Sequence, residues 1–280
     1  MKRIVAVLIG VLFMLFAAKI TFAGANVFPD GARTTAMGKA GVTASDIFSV
    51  YNNQAGLGFL QATQAALHYE NRFIASEMNL GAALFATPVK SAGTIGFDFC
   101  SFGYSEYREN RVGVAWGKRL SEYVSIGAQV CYQNVRIAKY GSTGAITAEL
   151  GLLANPLEHL WIGAHVFNFT YSKFFSDQYH EPLPVEFNVG LSYELVKKAT
   201  LTLQSEINAE RDITLKSGLE FWVASPFAAR LGVQLKPVQL YAGFGYVYKH
   251  ITLDAAFSCH EVLGYTPQLS FVYNFAQKKK

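Results

Sequence analysis

Apolar and polar residues alternate one by one through most of the chain after residue 62. In the segment 122–136, Val124, Ile126 and Val130 fall on one face of an extended chain. Gln129 and Gln133 fall on the opposite face. A period of two indicates β-strands with two different faces. The segments run for about 9–13 residues, the length that a tilted strand needs to cross a bilayer.

The alternation predicts about 14 strands, an even number as in bacterial single-chain barrels. Their predicted bounds are 63–74, 77–87, 93–102, 109–118, 122–136, 143–154, 159–168, 184–195, 199–209, 212–223, 227–235, 238–247, 249–258 and 266–275. The predicted fold class is therefore all-β, an antiparallel transmembrane β-barrel over residues 63–275. A soluble periplasmic β-sandwich shows the same alternation and is the alternative.

Strand length and aromatic positions favour the barrel over the sandwich. Strands of soluble proteins average about five or six residues, shorter than those predicted here. Aromatic residues near strand ends resemble the girdles of membrane barrels. These residues are Phe73, Tyr123, Tyr193, Phe221, Tyr246 and Phe275.

The connections between strands also alternate, between short and long. Every second one is short, which is typical of periplasmic turns. The other set is predicted to contain the three longest loops, which are Gly103–Arg108, Phe169–Leu183 and Cys259–Tyr265. This asymmetry predicts that the first strand runs outward from the periplasm.

The first 25 residues have the pattern of a secretory signal peptide. Lys2 and Arg3 precede an apolar run over 4–18, and Ala23–Ala25 offers a small-residue cleavage site. An uncleaved signal anchor is the alternative. The composition agrees with a secreted membrane protein, since 51% of residues are hydrophobic and only 16% are charged. Soluble domains carry about 25% charged residues.

Residues 26–62 do not show the strand pattern and are rich in Gly and Ala. A short segment of small residues cannot bury a core alone. We therefore expect it to lie inside the barrel as a plug, or hatch. Residues 276–280, which include three lysines, are predicted to form a basic periplasmic tail.

Two short motifs in this segment resemble the N-terminal hatch of the FadL-like outer-membrane proteins. The first is Ala36–Val42, AMGKAGV, and the second is Tyr51–Leu57, YNNQAGL. That group includes long-chain fatty-acid transporters and the PorV/PorQ proteins of the type IX secretion system. Its pattern is a Met-Gly-Gly-Ala run, an acidic residue and Asn-Pro-Ala-Gly. Lys39 replaces the second Gly here, and Gln54 replaces the Pro.

The resemblance implies a 14-stranded barrel that its own N-terminus plugs. The hatch residues that carry it are Met37, Gly38, Gly41, Asp46, Asn53, Gln54 and Gly56. Glycines allow close backbone approach and positive φ. Asparagine side chains can satisfy backbone groups where the chain turns into the first strand.

Charged residues on the polar strand faces are predicted to line the lumen. They are Glu70, Arg72, Asp98, Arg111, Glu149, Glu186, Glu206, Lys216, Glu220, Arg230 and Asp254. An Arg or Lys that faced lipid at mid-membrane would cost about 2–4 kcal/mol. Because both signs are interleaved, we expect them to pair with each other and with the plug, through Arg33, Lys39 and Asp46. A substrate path is the alternative.

Aromatic residues mark two further regions. The predicted outer loop contains Phe169, Tyr171, Phe174, Phe175 and Tyr179, which suit either a binding surface or a loop folded over the barrel mouth. The last strand alternates Phe271, Tyr273 and Phe275, and it resembles the terminal signal that the barrel-assembly machinery reads. The trailing residues 276–280 depart from that signal.

The sequence contains no motif of a catalytic, nucleotide-binding or metal site. We predict that the protein is not an enzyme and needs no cofactor or metal. Cys100, Cys131 and Cys259 are too far apart for a CxxC pair, and a Cys100–Cys131 bridge stays open. A net charge of +4 without a basic stripe argues against nucleic acid as a partner.

The predicted function is a non-enzymatic secretion-accessory or docking barrel of the PorV/PorQ type. The outer loops are shorter than a large ligand-capture lobe needs, which favours this role. The alternative is an uptake channel for small, fatty-acid-like hydrophobic compounds, and a soluble periplasmic β protein is the second alternative. Predicted partners are outer-membrane lipid, the barrel-assembly machinery, and secretion components or a small hydrophobic ligand. The predicted location is the outer membrane of a Gram-negative bacterium.

Overall fold

The computed structural model describes residues 29–175, 183–208 and 212–275. Fourteen strands form one closed barrel in which each strand pairs antiparallel with the next, and the last pairs with the first. The strands are β1 Gln64–Asn71, β2 Asn79–Val89, β3 Gly93–Gly103, β4 Tyr107–Arg119, β5 Val124–Ile137, β6 Gly141–Leu157, β7 Leu160–Phe167, β8 Glu186–Val196, β9 Ala199–Asn208, β10 Ile213–Ala224, β11 Phe227–Leu235, β12 Gln239–Tyr248, β13 Ile251–His260 and β14 Gly264–Asn274. The all-β barrel prediction is confirmed.

The alternating pattern decides which side chains face outward. On β5, Gln129 is 2% exposed, whereas its neighbour Val130 is 57% exposed on the outer surface. Leu67 on β1 and Leu203 on β9 also face outward, as most apolar strand residues do. An apolar outer wall and a polar inner face are the arrangement of a transmembrane barrel.

The short connections lie at the barrel end that carries residues 63 and 275, which we call the periplasmic end. The turns there comprise 90–92, 120–123, 158–159, 197–198, 225–226 and 249–250. The opposite end, called the outer end, carries the long connection between β7 and β8. That connection contains the predicted loop Phe169–Leu183, part of which lies outside the described residues.

Three predictions about the outer end were wrong. Strands β3, β4, β13 and β14 extend further than predicted, so Gly103–Arg108 and Cys259–Tyr265 contain connections of only 104–106 and 261–263. Strand β1 ends at Asn71, and residues 72–78 form a loop instead of a tight hairpin. The loop leaves the sheet because Phe73 and Ile74 adopt positive φ and the Phe73 amide donates to Thr266 Oγ1 at 3.0 Å.

The N-terminal segment lies inside the barrel against its inner wall, and we call it the plug. It contains helix α1 (Ala32–Ala36), helix α2 (Ser49–Asn52) and a 3-10 helix (Gln54–Phe59). Its apolar residues pack on the inner wall of β1–β4 and β14. These plug residues are Ile47, Phe48, Val50, Tyr51, Leu57 and Leu60. Burial of large apolar side chains stabilises this contact by about 1.5–3 kcal/mol for each one.

The wall is lined by glycines where the plug backbone lies against it. A Cβ at Gly127 would collide with the Ala55 nitrogen, and one at Gly232 would collide with the Gly38 nitrogen. Similar close approaches to the plug occur on most of the strands from β3 to β12. The wall glycines concerned are Gly96, Gly117, Gly127, Gly151, Gly163, Gly190, Gly218, Gly232 and Gly243. At these positions the plug takes the space that a wall side chain would otherwise fill.

No helix among the described residues is both long enough and apolar enough to cross a membrane. The predicted signal peptide and the predicted tail lie outside the described residues, as does Tyr179.

Candidate functional site: the plugged lumen

The first hatch motif holds the plug against β10 and β11. Gly38 has φ +69°, and a Cβ there would lie 2.6 Å from the Ser217 carbonyl oxygen. Met37 is buried, and its backbone occupies the space above Gly218. Gly41 fits between Thr34 and Asn52 inside the plug. Only glycine meets both the φ and the spacing at position 38.

Lys39 occupies a backbone position that favours glycine. Its φ is +62°, the left-handed region that costs most residues about 1–2 kcal/mol. Its Nζ lies 3.0 Å from Asp30 within the plug. Attraction to Asp30 raises the pKa of Lys39 above its ordinary value. The prediction that Lys39 would pair with the wall was therefore wrong, because Asp30 takes the ammonium.

The second hatch motif ties the plug to itself and to the wall. Asn53 Nδ2 donates to the Val42 carbonyl at 2.7 Å and to the Leu152 carbonyl of β6 at 3.0 Å. Gly56 lies against the Ala44 carbonyl, where a Cβ would collide. These contacts fold the plug chain back on itself before it enters β1.

Gln54 connects the plug to charged residues of the wall. Its Nε2 lies 2.8 Å from Gln129 Oε1 and 2.8 Å from Glu149 Oε2. A proline, which the family pattern has at this position, could make neither contact. The glutamine that replaces the family's proline therefore forms hydrogen bonds that connect the plug to the wall.

The Glu149 cluster comprises Asp98, Arg111, Gln129, Glu149 and His165. Arg111 Nη2 lies 2.7 Å from Glu149 Oε1, and its Nε lies 3.4 Å from Asp98 Oδ1. His165 Nε2 lies 3.0 Å from Glu149 Oε2, and Gln129 Nε2 donates to Asp98. All five side chains are buried. Buried charges at these distances stabilise each other only as a complete set.

The Glu220 cluster comprises Arg33, Asp46, Glu220, Arg230 and Asp254, and two of its members belong to the plug. Arg33 donates to both Glu220 oxygens, at 2.9 and 2.8 Å, and its Nη1 lies 3.1 Å from Asp46. Arg230 lies 2.6 Å from Glu220 and 2.6 Å from Asp254. The Glu220 carboxylate raises the pKa of Arg33 further above its usual range.

The two clusters lie on opposite sides of the plug. Arg111 lies near the outer end of β4, and Glu149 lies at the middle of β6. Glu220, Arg230 and Asp254 lie within a few residues of the periplasmic ends of β10, β11 and β13. The Glu149 cluster comes from β3–β7 and the Glu220 cluster from β10, β11 and β13, so the two clusters contact the plug from opposite parts of the wall.

The remaining predicted lumen charges lie nearer the outer end. Glu206 and Lys216 pair at 2.6 Å. Arg72 lies 2.6 Å from Glu70, but it belongs to the 72–78 loop and not to a strand face. Glu186 begins β8 on the inner face and is half-buried. These charges do not contact the Glu149 and Glu220 clusters through any ion pair among the described residues.

Some residues that hold the lumen together were not singled out as site residues from the sequence. Tyr51 packs its ring under the Arg111 guanidinium, whose carbon lies 5.2 Å from the ring centroid. Gln129 and Gln204 each accept a hydrogen bond from the plug. Gln129 Oε1 accepts from Gln54 Nε2, and Gln204 Oε1 accepts from the Val42 amide at 2.9 Å. The sequence places both glutamines on polar strand faces, but the lumen residues were selected by charge, and these two side chains are neutral.

The outer rim exposes several aromatic residues of the β7–β8 connection. Tyr171 and Phe175 are 69% and 67% exposed, and Phe169 is also exposed, whereas Phe174 is half-buried. The Phe175 amide donates to the Gly144 carbonyl of β6 at 2.8 Å. This part of the loop therefore folds over the rim and presents aromatic side chains outside it.

The last strand presents its aromatic residues to the outside of the barrel. Phe271, Tyr273 and Phe275 are each about 40% exposed, at 37%, 38% and 42%. Phe275 follows the end of β14, and its amide donates to the Thr63 carbonyl at 2.9 Å. Their role in assembly stays a prediction.

Cys100, Cys131 and Cys259 are all thiols, so the bridge left open by the sequence does not form. The described residues contain no group of side chains that could hold a metal ion.

Comparisons with known proteins bear on the fold. No protein-family model and no curated protein matches the chain. Among solved structures, the CymD monoaromatic hydrocarbon channel has a TM-score of 0.68 at 11% identity, over 90% of this chain and 99% of that one. The Pseudomonas putida toluene transporter TodX gives 0.64 at 11% identity, over 89% and 99%. A Pseudomonas aeruginosa FadL homologue gives 0.61 at 11%, over 86% and 96%. The chain therefore has the fold of the FadL-like barrels.

Proposed function

We propose that the protein is an outer-membrane channel of a Gram-negative bacterium for the uptake of small hydrophobic compounds. The observation that carries the proposal is similarity over nearly the whole chain to a monoaromatic hydrocarbon channel and a toluene transporter. Since the shared identity is low, the similarity concerns the fold, and the transport role is our inference.

The lumen supports this proposal because its seal consists of contacts that can be broken and remade. The plug is held by hydrogen bonds, by the Arg33–Glu220 ion pair and by packing on wall glycines. A shift of the plug would open a path between its surface and the wall. The exposed aromatic residues at the outer rim suit the capture of an apolar compound before it enters.

The secretion-accessory role stays a prediction from the sequence. The structures named above are described as channels and transporters, and no described residue favours a secretion partner. Of the two functions weighed, we therefore prefer the one that was the alternative. A channel function is also non-enzymatic, as expected from the sequence.

Uptake tests the proposal directly. The protein would be produced in a Gram-negative host that lacks its own hydrophobic-compound channels, and entry of radiolabelled toluene and of a long-chain fatty acid would be measured. We expect faster entry of at least one compound than in cells that carry the empty vector. Equal entry with correctly assembled protein would overturn the proposal.

A reversible lock on the plug provides a matched control. In the variant Val50→Cys/Gly96→Cys, the new sulfur of residue 50 replaces Val50 Cγ2, which lies 2.9 Å from an ideal Cβ at Gly96. That separation suits a disulfide. We expect the oxidised variant to lose uptake and the reduced variant to regain it. Uptake that continues after oxidation would show that the plug does not need to move at this wall.

A further inference from the structure

A cavity of about 200 Å³ lies between the plug and the inner wall of β7–β9. His159 and Glu194 line it where these strands reach the periplasmic end, and both side chains are partly exposed. The plug contributes Arg33, Thr34 and Thr43 to the opposite side. The cavity is therefore on the periplasmic side of the plug, and Arg33 is the one member of the two ion clusters that lines it.

Its lining combines hydroxyl groups with one aromatic wall. Ser192, Thr200 and Thr202 face it from β8 and β9. Trp161 faces it from β7 and is held edge-on against Phe59 of the plug, with ring centroids 4.9 Å apart. A fixed indole provides a surface on which a flat ring can pack. The hydroxyl groups provide donors and acceptors for one polar group of a ligand.

Charge around the cavity disfavours a carboxylate ligand. Arg33 is the cation at its edge, but Glu220 and Asp46 already bind that guanidinium. Asp254 lies beyond it on Arg230. The Glu220 cluster thus has three carboxylates for two guanidinium groups, and an added anion would be repelled. A neutral molecule meets no such penalty.

We propose that this cavity binds a neutral molecule of the size of one aromatic ring that carries a hydrogen-bonding group, of which phenol is the simplest probe. A cavity of about 150 Å³ can hold benzene, so the volume is sufficient. The ring then packs on Trp161, and the phenol hydroxyl bonds to the side lined by Ser192, Thr200 and Thr202. Binding does not require transport.

The place of the cavity also indicates a role that rests on the proposed function. Gln204 lies two residues from Thr202 toward the outer end, and it joins the wall to the plug by accepting the Val42 amide at 2.9 Å. A compound that passes this contact would enter the cavity before it reaches the periplasm. The cavity is then the last binding site along the passage on the β7–β9 side.

Fluorescence of Trp161 tests the binding. The full mature chain in lipid nanodiscs would be titrated with phenol, toluene and benzoate, and Trp161→Phe would give the signal of the other tryptophans. We expect saturable quenching by phenol, weaker binding of toluene and none by benzoate. Quenching that never saturates, or an equal response in Trp161→Phe, would overturn the proposal.

Two matched substitutions locate the site. Thr200 lines the cavity and is the second residue of β9. Thr252 is the second residue of β13 on the same inner face, away from the cavity lining. Filling the space with Thr200→Phe should weaken phenol binding by about tenfold or more, since the larger side chain would occupy the volume that the ring needs. Thr252→Phe should leave the affinity unchanged, and equal loss in both variants would overturn the assignment.

The outcomes also separate this site from the proposed function. If the protein speeds toluene entry but shows no saturable phenol binding, the proposed function is retained and the binding site is rejected. If the protein binds phenol with the predicted effects of the two substitutions but gives no uptake, the binding site is retained and its role in transport is rejected.

Discussion

The Glu149 and Glu220 clusters are built from the same groups but depend on the plug to different degrees. In the Glu149 cluster, the cation Arg111 and the carboxylates Asp98 and Glu149 all come from the wall. The plug adds two uncharged groups, the amide of Gln54 and the ring of Tyr51. In the Glu220 cluster, the plug supplies the cation Arg33, which lies 2.8 Å from Glu220.

Charged residues in the lumen can therefore have two roles, which are to stabilise the barrel and to hold the plug in place. A cluster complete within the wall stabilises the barrel whether or not the plug is in place. A cluster that takes a cation from the plug favours the docked plug, because undocking leaves its carboxylates with one guanidinium fewer. The plug is therefore held by charge where it meets the Glu220 cluster, and by neutral hydrogen bonds and the Tyr51 ring where it meets the Glu149 cluster.

The largest effect is expected from removal of the plug. Deletion of Gly31–Gly58 should leave a folded barrel with increased ion conductance in planar bilayers, because wall glycines leave the lumen open at that level. The deletion should also lower thermal stability, since the apolar wall of β1–β4 loses its cover. Unchanged conductance with an intact barrel would mean that wall side chains close the lumen.

The next largest effect is expected when the wall arginine of each cluster is replaced, and the loss of stability should differ between the two clusters. Arg111→Met leaves Asp98 and Glu149 without their guanidinium and should cost about 3–5 kcal/mol in the free energy of unfolding. The matched change Arg230→Met should cost less, because Arg33 stays on Glu220. Urea unfolding in lipid measures both.

The same pair of variants in the plug-deleted barrel sharpens the comparison. Without Arg33, the Arg230→Met change should become about as costly as Arg111→Met. Equal costs already in the full-length chain would contradict the idea that the plug shares the charge of the Glu220 cluster.

A smaller effect is expected from the plug's own contacts. Arg33→Met should weaken plug docking by about 1–2 kcal/mol, since it removes hydrogen bonds to a charged group from a partly exposed side chain. Gln54→Ala should weaken it by about 1 kcal/mol or less. Accessibility of a cysteine at Thr34 to a periplasmic thiol reagent would rank the two. A larger effect of Gln54→Ala would reverse the proposed division between the sides.

The smallest effect is expected at Lys39. Lys39→Gly removes an ion pair that is partly exposed and worth at most about 1 kcal/mol. It also relieves a left-handed backbone that costs a non-glycine residue about as much. Thermal unfolding should therefore shift little in either direction. A strong loss of stability would show that the Asp30 contact, and not the backbone, governs this turn.

Sequence patterns predicted the barrel well because each strand carries its own two-faced signal. The alternation at Gln129 and Val130 needs no knowledge of the neighbouring strands. The outer connections were predicted less well, since their form depends on other loops and strand ends. Where Phe73 leaves the β1 face, its amide is bound by Thr266, a residue from the far end of the chain.

The plug shows the same division. Its small residues and its motifs predicted a segment inside the lumen. The positive φ of Gly38 explains why this motif position needs a glycine. The ion-pair partners of its charged residues were not predictable from the sequence. Lys39 pairs with Asp30 inside the plug, whereas Arg33 pairs with Glu220 of the wall. Ion pairs depend on distances between strands that are remote in sequence.

The sequence by itself determined the period of two, the number of strands and the inward direction of the charged residues, because these follow from local alternation and from the cost of charge in lipid. Only the tertiary structure decided which charges meet, where the plug touches glycine instead of side chain, and where a cavity remains beside β7–β9. Those features depend on the closure of the barrel, which brings β14 to β1 and sets the space that the plug must fill.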